Sequence, residues 1–179
     1  MPPAERWMGV SRILIAGVPE LADAGGTVAG LKLAAFATAN YVGLAECYFA
    51  ACSPGHATLT LAEAKAQLKA RLKGDHGQML PGASPTALLD GLVVGSLQVV
   101  ERSIWDLQVE HPCVIGLFVH PEHRGKGIAT ALLANSASRL KMAGFERLAL
   151  RTGYGAPADA ERLYRRLGFA DLEAGEPGA

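Results

Sequence analysis

The residues best suited to chemistry lie together at 117–130, which read Leu-Phe-Val-His-Pro-Glu-His-Arg-Gly-Lys-Gly-Ile-Ala-Thr. An apolar run meets a proline, then a short basic loop with two glycines, then a helical pattern. Such a segment is a cradle for an anion. Gly125 and Gly127 let the backbone turn tightly and approach a ligand closely. The first N–H groups of the following helix lack internal partners, and the helix dipole makes that end positive. Arg124 and Lys126 add full charges and His123 a partial one, so a pyrophosphate suits the loop.

Two common phosphate loops do not fit. A P-loop needs a glycine five residues before Gly125, where His120 stands, and a Ser or Thr after Lys126, where Gly127 stands. A dinucleotide fingerprint needs three glycines after a first parallel strand. Here there are two, after what reads as an antiparallel meander.

The elements that must position this loop can be read in order. A first strand is expected at 12–18 and an alanine-rich helix at 27–39. The segment 41–56 is packed but ambiguous in type. A helix at 60–72 is marked by Thr60 and Glu63 as a capping box, by Leu61, Leu68 and Leu72 on one face, and by Gly74 as its stop. Strands at 86–89 and 92–100 flank Asp90-Gly91, a two-residue hairpin signal. After a polar connection, a strand is expected at 113–119, a helix at 126–142 closed by Gly144, and a strand at 147–151. A helix at 158–167 follows, with Pro157 in its first turn. A last strand begins within 169–172, and 175–179 should fray.

The chain has 179 residues, half of them hydrophobic, enough for a core in one domain over 1–179. Lys plus Arg and Asp plus Glu are 17 each, so overall charge offers no pull toward nucleic acid or a membrane surface. No apolar run reaches the length of a membrane span. The N-terminus does not read as a signal peptide, and Cys47, Cys52 and Cys113 are odd in number, which points to free thiols and the cytoplasm. No metal is expected. His120 and His123 read as surface residues, and Cys113 as a buried strand thiol.

The stretch Arg124, Gly127, Ala129, directly after Val119-His-Pro121, resembles the coenzyme A loop of the GNAT acyltransferase superfamily. A second segment, Ala160-Glu-Arg-Leu-Tyr-Arg-Arg-Leu-Gly-Phe169, is similar to that family's helix ending in Leu-Tyr before Gly-Phe. With the Asp-Gly hairpin before them, the resemblance covers roughly 86–172.

The resemblance implies an α/β fold, with a mixed, mostly antiparallel sheet flanked by helices and splayed between 113–119 and 147–151. Residues 86–172 would form the cofactor-binding core, and 1–85 would shape the acceptor side. Acetyl-CoA would be the co-substrate, its pyrophosphate held by Arg124, Gly125, Lys126, Gly127, Ile128, Ala129 and Thr130. Its pantetheine arm would lie along Leu117, Phe118 and Val119. Tyr164 would protonate the departing thiolate. The acceptor would be an amine, small-molecule or peptide, and a homodimer is left open.

Three positions depart from the family pattern. Pro157 stands where many members have Asn. Cys113 stands where many have a general-base Glu, leaving Glu101, Glu110 and His111 as candidates, with Glu110 preferred as the catalytic partner of Tyr164. The final pair of strands looks short. Tyr164 also reads as a core aromatic between Leu163 and Leu167, and Arg165 and Arg166 as a solvated face. Glu46, Asp75 and Asp106 could attract a cationic amine. A non-catalytic acyl-CoA sensor and a transferase for another acyl group or acceptor are the alternatives.

Overall fold

The computed structural model describes residues 12–37, 40–52, 60–152 and 158–172. Seven strands form one sheet: β1 (Arg12–Gly17), β2 (Leu31–Ala35), β3 (Pro85–Leu89), β4 (Leu92–Val100), β5 (Cys113–Val119), β6 (Arg147–Thr152) and β7 (Ala170–Asp171). The helices are α1 (Val18–Asp23), α2 (Tyr41–Cys52), α3 (Leu61–Lys73), α4 (Ile128–Met142) and α5 (Ala158–Arg166). The spatial order is β2-β3-β4-β5-β6-β1-β7. Every neighbouring pair is antiparallel except β5 with β6.

Local signals carried several of these elements. Thr60 accepts from the Glu63 N–H while the Glu63 carboxylate takes the Thr60 N–H at 2.7 Å, so the box at the start of α3 is closed on both sides. Gly74 ends α3 at φ 86°. Asp90 (φ 50°) and Gly91 (φ 82°) make the tight β3–β4 turn.

The helix expected at 27–39 is corrected to a strand. β2 pairs along its whole length with β3, from Leu31 opposite Leu89 to Ala35 opposite Pro85. Leu31 and Leu33 pack on the core while Lys32 is exposed, a period of two. Helix propensity of alanines is worth under ~1 kcal/mol per residue, and strand pairing overrides it. Residues 38 and 39 lie outside the described set. Within the ambiguous segment 41–56, Tyr41–Cys52 is helix α2, in which apolar residues occur all round, and 53–56 lie outside the described residues. The short helix α1 begins directly where β1 ends. Pro19 in its first turn is the signal.

The C-terminal strand is indeed short, at two residues, and the sheet is completed from the other end of the chain. β1 lies between β6 and β7, pairing with β6 from Arg12 opposite Thr152 to Gly17 opposite Arg147. One sheet face packs on α1, α4 and α5, with Leu14, Leu97, Leu132, Leu133, Leu148 and Phe169 at its centre. Truncating one of these to Ala costs about 2–5 kcal/mol. The other face packs on α2 and α3 through Leu44, Leu68, Met79 and Phe118. Among the described residues no helix is long and apolar enough to cross a membrane.

Candidate active site

The sheet opens at its centre. β5 and β6 pair only at Cys113 with Ala149 and Val114 with Leu150. Beyond these, Gln98 faces Gly116 while Val99 faces Val114, so Ile115 is an extra residue in β5. This bulge turns β5 away from β6. The His120 N–H donates to the Val94 carbonyl at 2.9 Å. Alternation along an antiparallel ladder then points the backbone groups of Phe118 and Gly116 at β4, and those of Leu117 and Val119 away from it, into the opening. The upper half of β5 thus offers an open strand edge in the middle of the sheet, on which the Val119 carbonyl accepts from Arg124.

The basic loop caps this edge. Pro121–His123 form one 3-10 turn, and Gly125 and Gly127 take φ of 73° and 81°. Gly127 is the N-cap of α4 with no side chain capping it, and the first helical bond runs from the Ala131 N–H to the Gly127 carbonyl. The N–H groups of Ile128, Ala129 and Thr130 therefore end the helix without internal partners. The exposed Arg124 is tied to backbone: Nε donates to the Val119 carbonyl at 3.2 Å and Nη2 to the Ala51 carbonyl at 2.9 Å. It ties the end of β5 to the end of α2. Lys126 Nζ donates to the Glu122 carbonyl at 3.0 Å. His120, Glu122 and His123 place one ligand atom each within 4.8 Å of one another on this exposed turn.

Below the opening lies a cavity of about 300 Å³. It is lined by the β5 residues Cys113 to Leu117, by Leu150 and Arg151 of β6, by Ser103, Trp105 and Asp106, and by Tyr164. Tyr164 comes from α5, with its ring edge-on to Phe169 at 5.8 Å between centroids. Its hydroxyl makes no hydrogen bond among the described residues. Burial pushes the phenol above its ordinary range, so it stays protonated and able to donate. Tyr164 thus both packs on the core and faces the cavity.

Cys113 also lines the cavity, but its thiol is pushed up to about 12, first by burial and then by Asp106. It is a neutral strand thiol rather than a nucleophile. Asp106 is buried and is held from two sides: Arg151 Nε and Nη2 form a fork on its carboxylate, and Ser103 Oγ donates to it at 3.1 Å. That carboxylate is already matched by a cation.

The other acidic candidates stand apart. Glu110 is 61% exposed and 3.5 Å from Arg102. Glu101, Glu46 and Asp75 are exposed, and His111 is half-buried; none of them lines the cavity. Position 157 lies outside the described residues.

A second polar group touches Gly116, one of the cavity-lining residues, and carried no sequence signal. Arg71 of α3 reaches across the sheet face, donating from Nη1 to Gln98 Oε1 at 2.6 Å, with its guanidinium 5.0 Å over the Tyr48 ring. This contact lies over Gly116, where a Cβ would come 2.6 Å from Arg71 Nη1 and 3.1 Å from Gln98 Oε1. Periodicity marks Gln98 only as an inward strand position, and a lone Arg near a helix end is common.

Comparison with known proteins agrees with this geometry. The family model for the acetyltransferase (GNAT) family matches residues 43–169, well over half of the chain. No curated protein matches the chain by sequence. A GCN5-related N-acetyltransferase from Sphaerobacter thermophilus superposes with a TM-score of 0.68 at 19% identity, over 93% of this chain and 50% of its own. A tandem GNAT protein from the clavulanic acid biosynthesis pathway gives 0.64 at 18%, over 92% and 50%. The PaiA N-acetyltransferase from Thermoplasma acidophilum, solved with coenzyme A, gives 0.61 at 13%, over 82% and 93%. The chain thus spans about half the length of the first and second of these. The motif loop at an uncapped helix end, the splayed sheet and the family match over 43–169 lead to one assignment: the chain belongs to the GNAT acetyltransferase family.

Proposed function

We propose that this chain is an N-acetyltransferase that moves the acetyl group of acetyl-CoA to a primary amine by direct attack in a ternary complex. One observation carries the reading. A strand edge at Leu117 and Val119, unpaired by any strand, runs from the uncapped N-terminus of α4 to a cavity holding a protonated Tyr164.

The pyrophosphate would rest on the N–H groups around Gly127 to Thr130, with the charges of Arg124 and Lys126 nearby. The pantetheine amides would pair with the Leu117 and Val119 backbone as an added strand. The same edge brings the thioester into the cavity, where a backbone N–H of β5 would hold the carbonyl oxygen as it becomes an oxyanion.

The acceptor arrives as an ammonium, with a pKa of about 10.4 for an alkylamine, and must first lose a proton. Among the described residues the only acid lining the cavity is Asp106, already bound by Arg151, so water takes that proton. The amine nitrogen bonds to the acyl carbon, the C–S bond breaks, and Tyr164 gives its proton to the thiolate. The new amide sheds its extra proton to solvent, from which Tyr164 is restored.

The test combines calorimetry with coenzyme A and thiol release from acetyl-CoA across an amine panel. Binding should raise the melting temperature, by about 2.7 kcal/mol of stabilisation at one hundred times Kd. Turnover should rise with pH toward the amine pKa. A folded protein that neither binds coenzyme A nor releases thiol with any amine would sink the proposal. Binding with no transfer to any amine would instead identify an acyl-CoA sensor.

A further inference from the structure

We infer that the acceptor is an amino acid whose carboxylate is held by Arg71 beside Gly116, an inference that rests on the acetyltransferase reading above. Arg71 is half-buried, and no carboxylate lies within ion-pair distance of it among the described residues. Its neighbours are the neutral Gln98 and Tyr48, with Cys52 and His76 close enough to feel its charge. A partly desolvated cation with neutral partners alone is costly unless an anion completes it.

A second observation points the same way. Gln98 is fully buried; its Oε1 accepts from Arg71, and its Nε2 has no partner. A guanidinium carries five N–H donors, and Arg71 places only two bonds, to Gln98 and Tyr48. The cluster therefore has donors left over, which suits an acceptor-only anion.

Placement supplies the substrate class. Gly116 lines the cavity, and its missing side chain is what admits the Arg71 tip. Trp105 also lines the cavity, and its ring lies 5.2 Å from that of His76, which is close enough to Arg71 to feel its charge. Leu117, whose backbone faces the thioester path, is the next residue, about 3.8 Å along the chain. A carboxylate on the Arg71 tip at Gly116 would thus sit one residue from the strand edge that leads to the thioester, which suits an acceptor whose amine and carboxylate are close together. One guanidinium balances one negative charge, which a carboxylate carries and a phosphate exceeds.

The experiment titrates the full chain, with and without coenzyme A, with common amino acids and with their amides, which lack the carboxylate charge. Thiol release from acetyl-CoA is measured with the same set. The acids should bind roughly 10- to 100-fold more tightly than the amides, the range of a charge-assisted pair. Arg71→Met should bring that ratio close to one while coenzyme A affinity stays. Gly116→Ala should reduce it by displacing the guanidinium tip, and carries the test with Arg71→Lys if Arg71→Met does not fold. A ratio near one in the native chain, no binding by either set, or an unchanged ratio in folded Arg71→Met would overturn the inference. Transfer to neutral amines alone would overturn it and leave the acetyltransferase standing. A carboxylate preference without thiol release would sink the transferase and keep the Arg71 site.

Discussion

Replacing Gly127 by Ala isolates the backbone geometry of the basic loop. Gly127 has φ 81°, and a Cβ built there meets only Val28 Cγ2 at 3.6 Å, an ordinary contact. Space is therefore not what requires glycine; handedness is. An L-residue in the left-handed region costs roughly 1–2 kcal/mol. For a chain of this length that lowers Tm by about 2–8 °C.

Gly125 offers a matched case, with φ 73° and nothing within 4 Å. Gly26 is the control, since nothing lies within 4 Å of its Cβ either and its φ is not in the left-handed region. Gly26→Ala should be neutral or stabilising, by up to about 1 kcal/mol. Gly127→Asn should recover part of the loss, because Asn tolerates that region. Thermal and urea unfolding of the four variants, followed by calorimetry with coenzyme A, is the assay. Coenzyme A affinity should fall in Gly127→Ala and Gly125→Ala and stay in Gly26→Ala. Equal losses at Gly26 and Gly127, or full stability in Gly127→Ala, would refute the argument from φ.

Three further outcomes are expected. Tyr164→Phe keeps the ring against Phe169 and removes a hydroxyl with no described partner, so unfolding should change little. Turnover should fall about tenfold to a hundredfold at unchanged coenzyme A affinity, and unchanged turnover with chemistry rate-limiting would reduce Tyr164 to packing. Cys47 and Cys113 are each pushed from 9.0 up to about 12 by burial, so the folded state holds their protons more tightly than the unfolded chain. That contribution is complete below pH ~9 and is lost as pH rises toward ~12, at roughly 2–3 kcal/mol per thiol by about pH 11. Urea titrations across this range should show the loss flattened in Cys113→Ala, and an unaltered slope would contradict the burial argument. Arg124→Ala releases the Val119 and Ala51 carbonyls and should cost roughly 1–2 kcal/mol, whereas Thr60→Ala, which removes the cap of α3, should cost about 1 kcal/mol without touching coenzyme A binding.

Signals confined to a few neighbouring residues were readable from the chain alone. The capping box of Thr60 and Glu63, the Asp90-Gly91 turn, the stop at Gly74 and the loop from Arg124 to Thr130 each act through bonds or dihedrals within one turn. The motif strand 113–119 and the helix leading to Tyr164 were legible for the same reason, and with them the family. What depends on which strand meets which was not legible. Residues 31–35 carry alanines that favour a helix, and only β3 beside them makes a strand. β1 lies next to β6 because a slot there needed hydrogen-bond partners, and nothing in residues 12–17 names Arg147–Thr152 as those partners. The site divides along the same line. The backbone cradle follows from glycine spacing, whereas Arg71 over Gly116 and Arg151 on Asp106 join residues 45 apart along the chain. The tertiary fold decided these contacts, because charge and burial at such positions are set by neighbours that the local sequence does not contain.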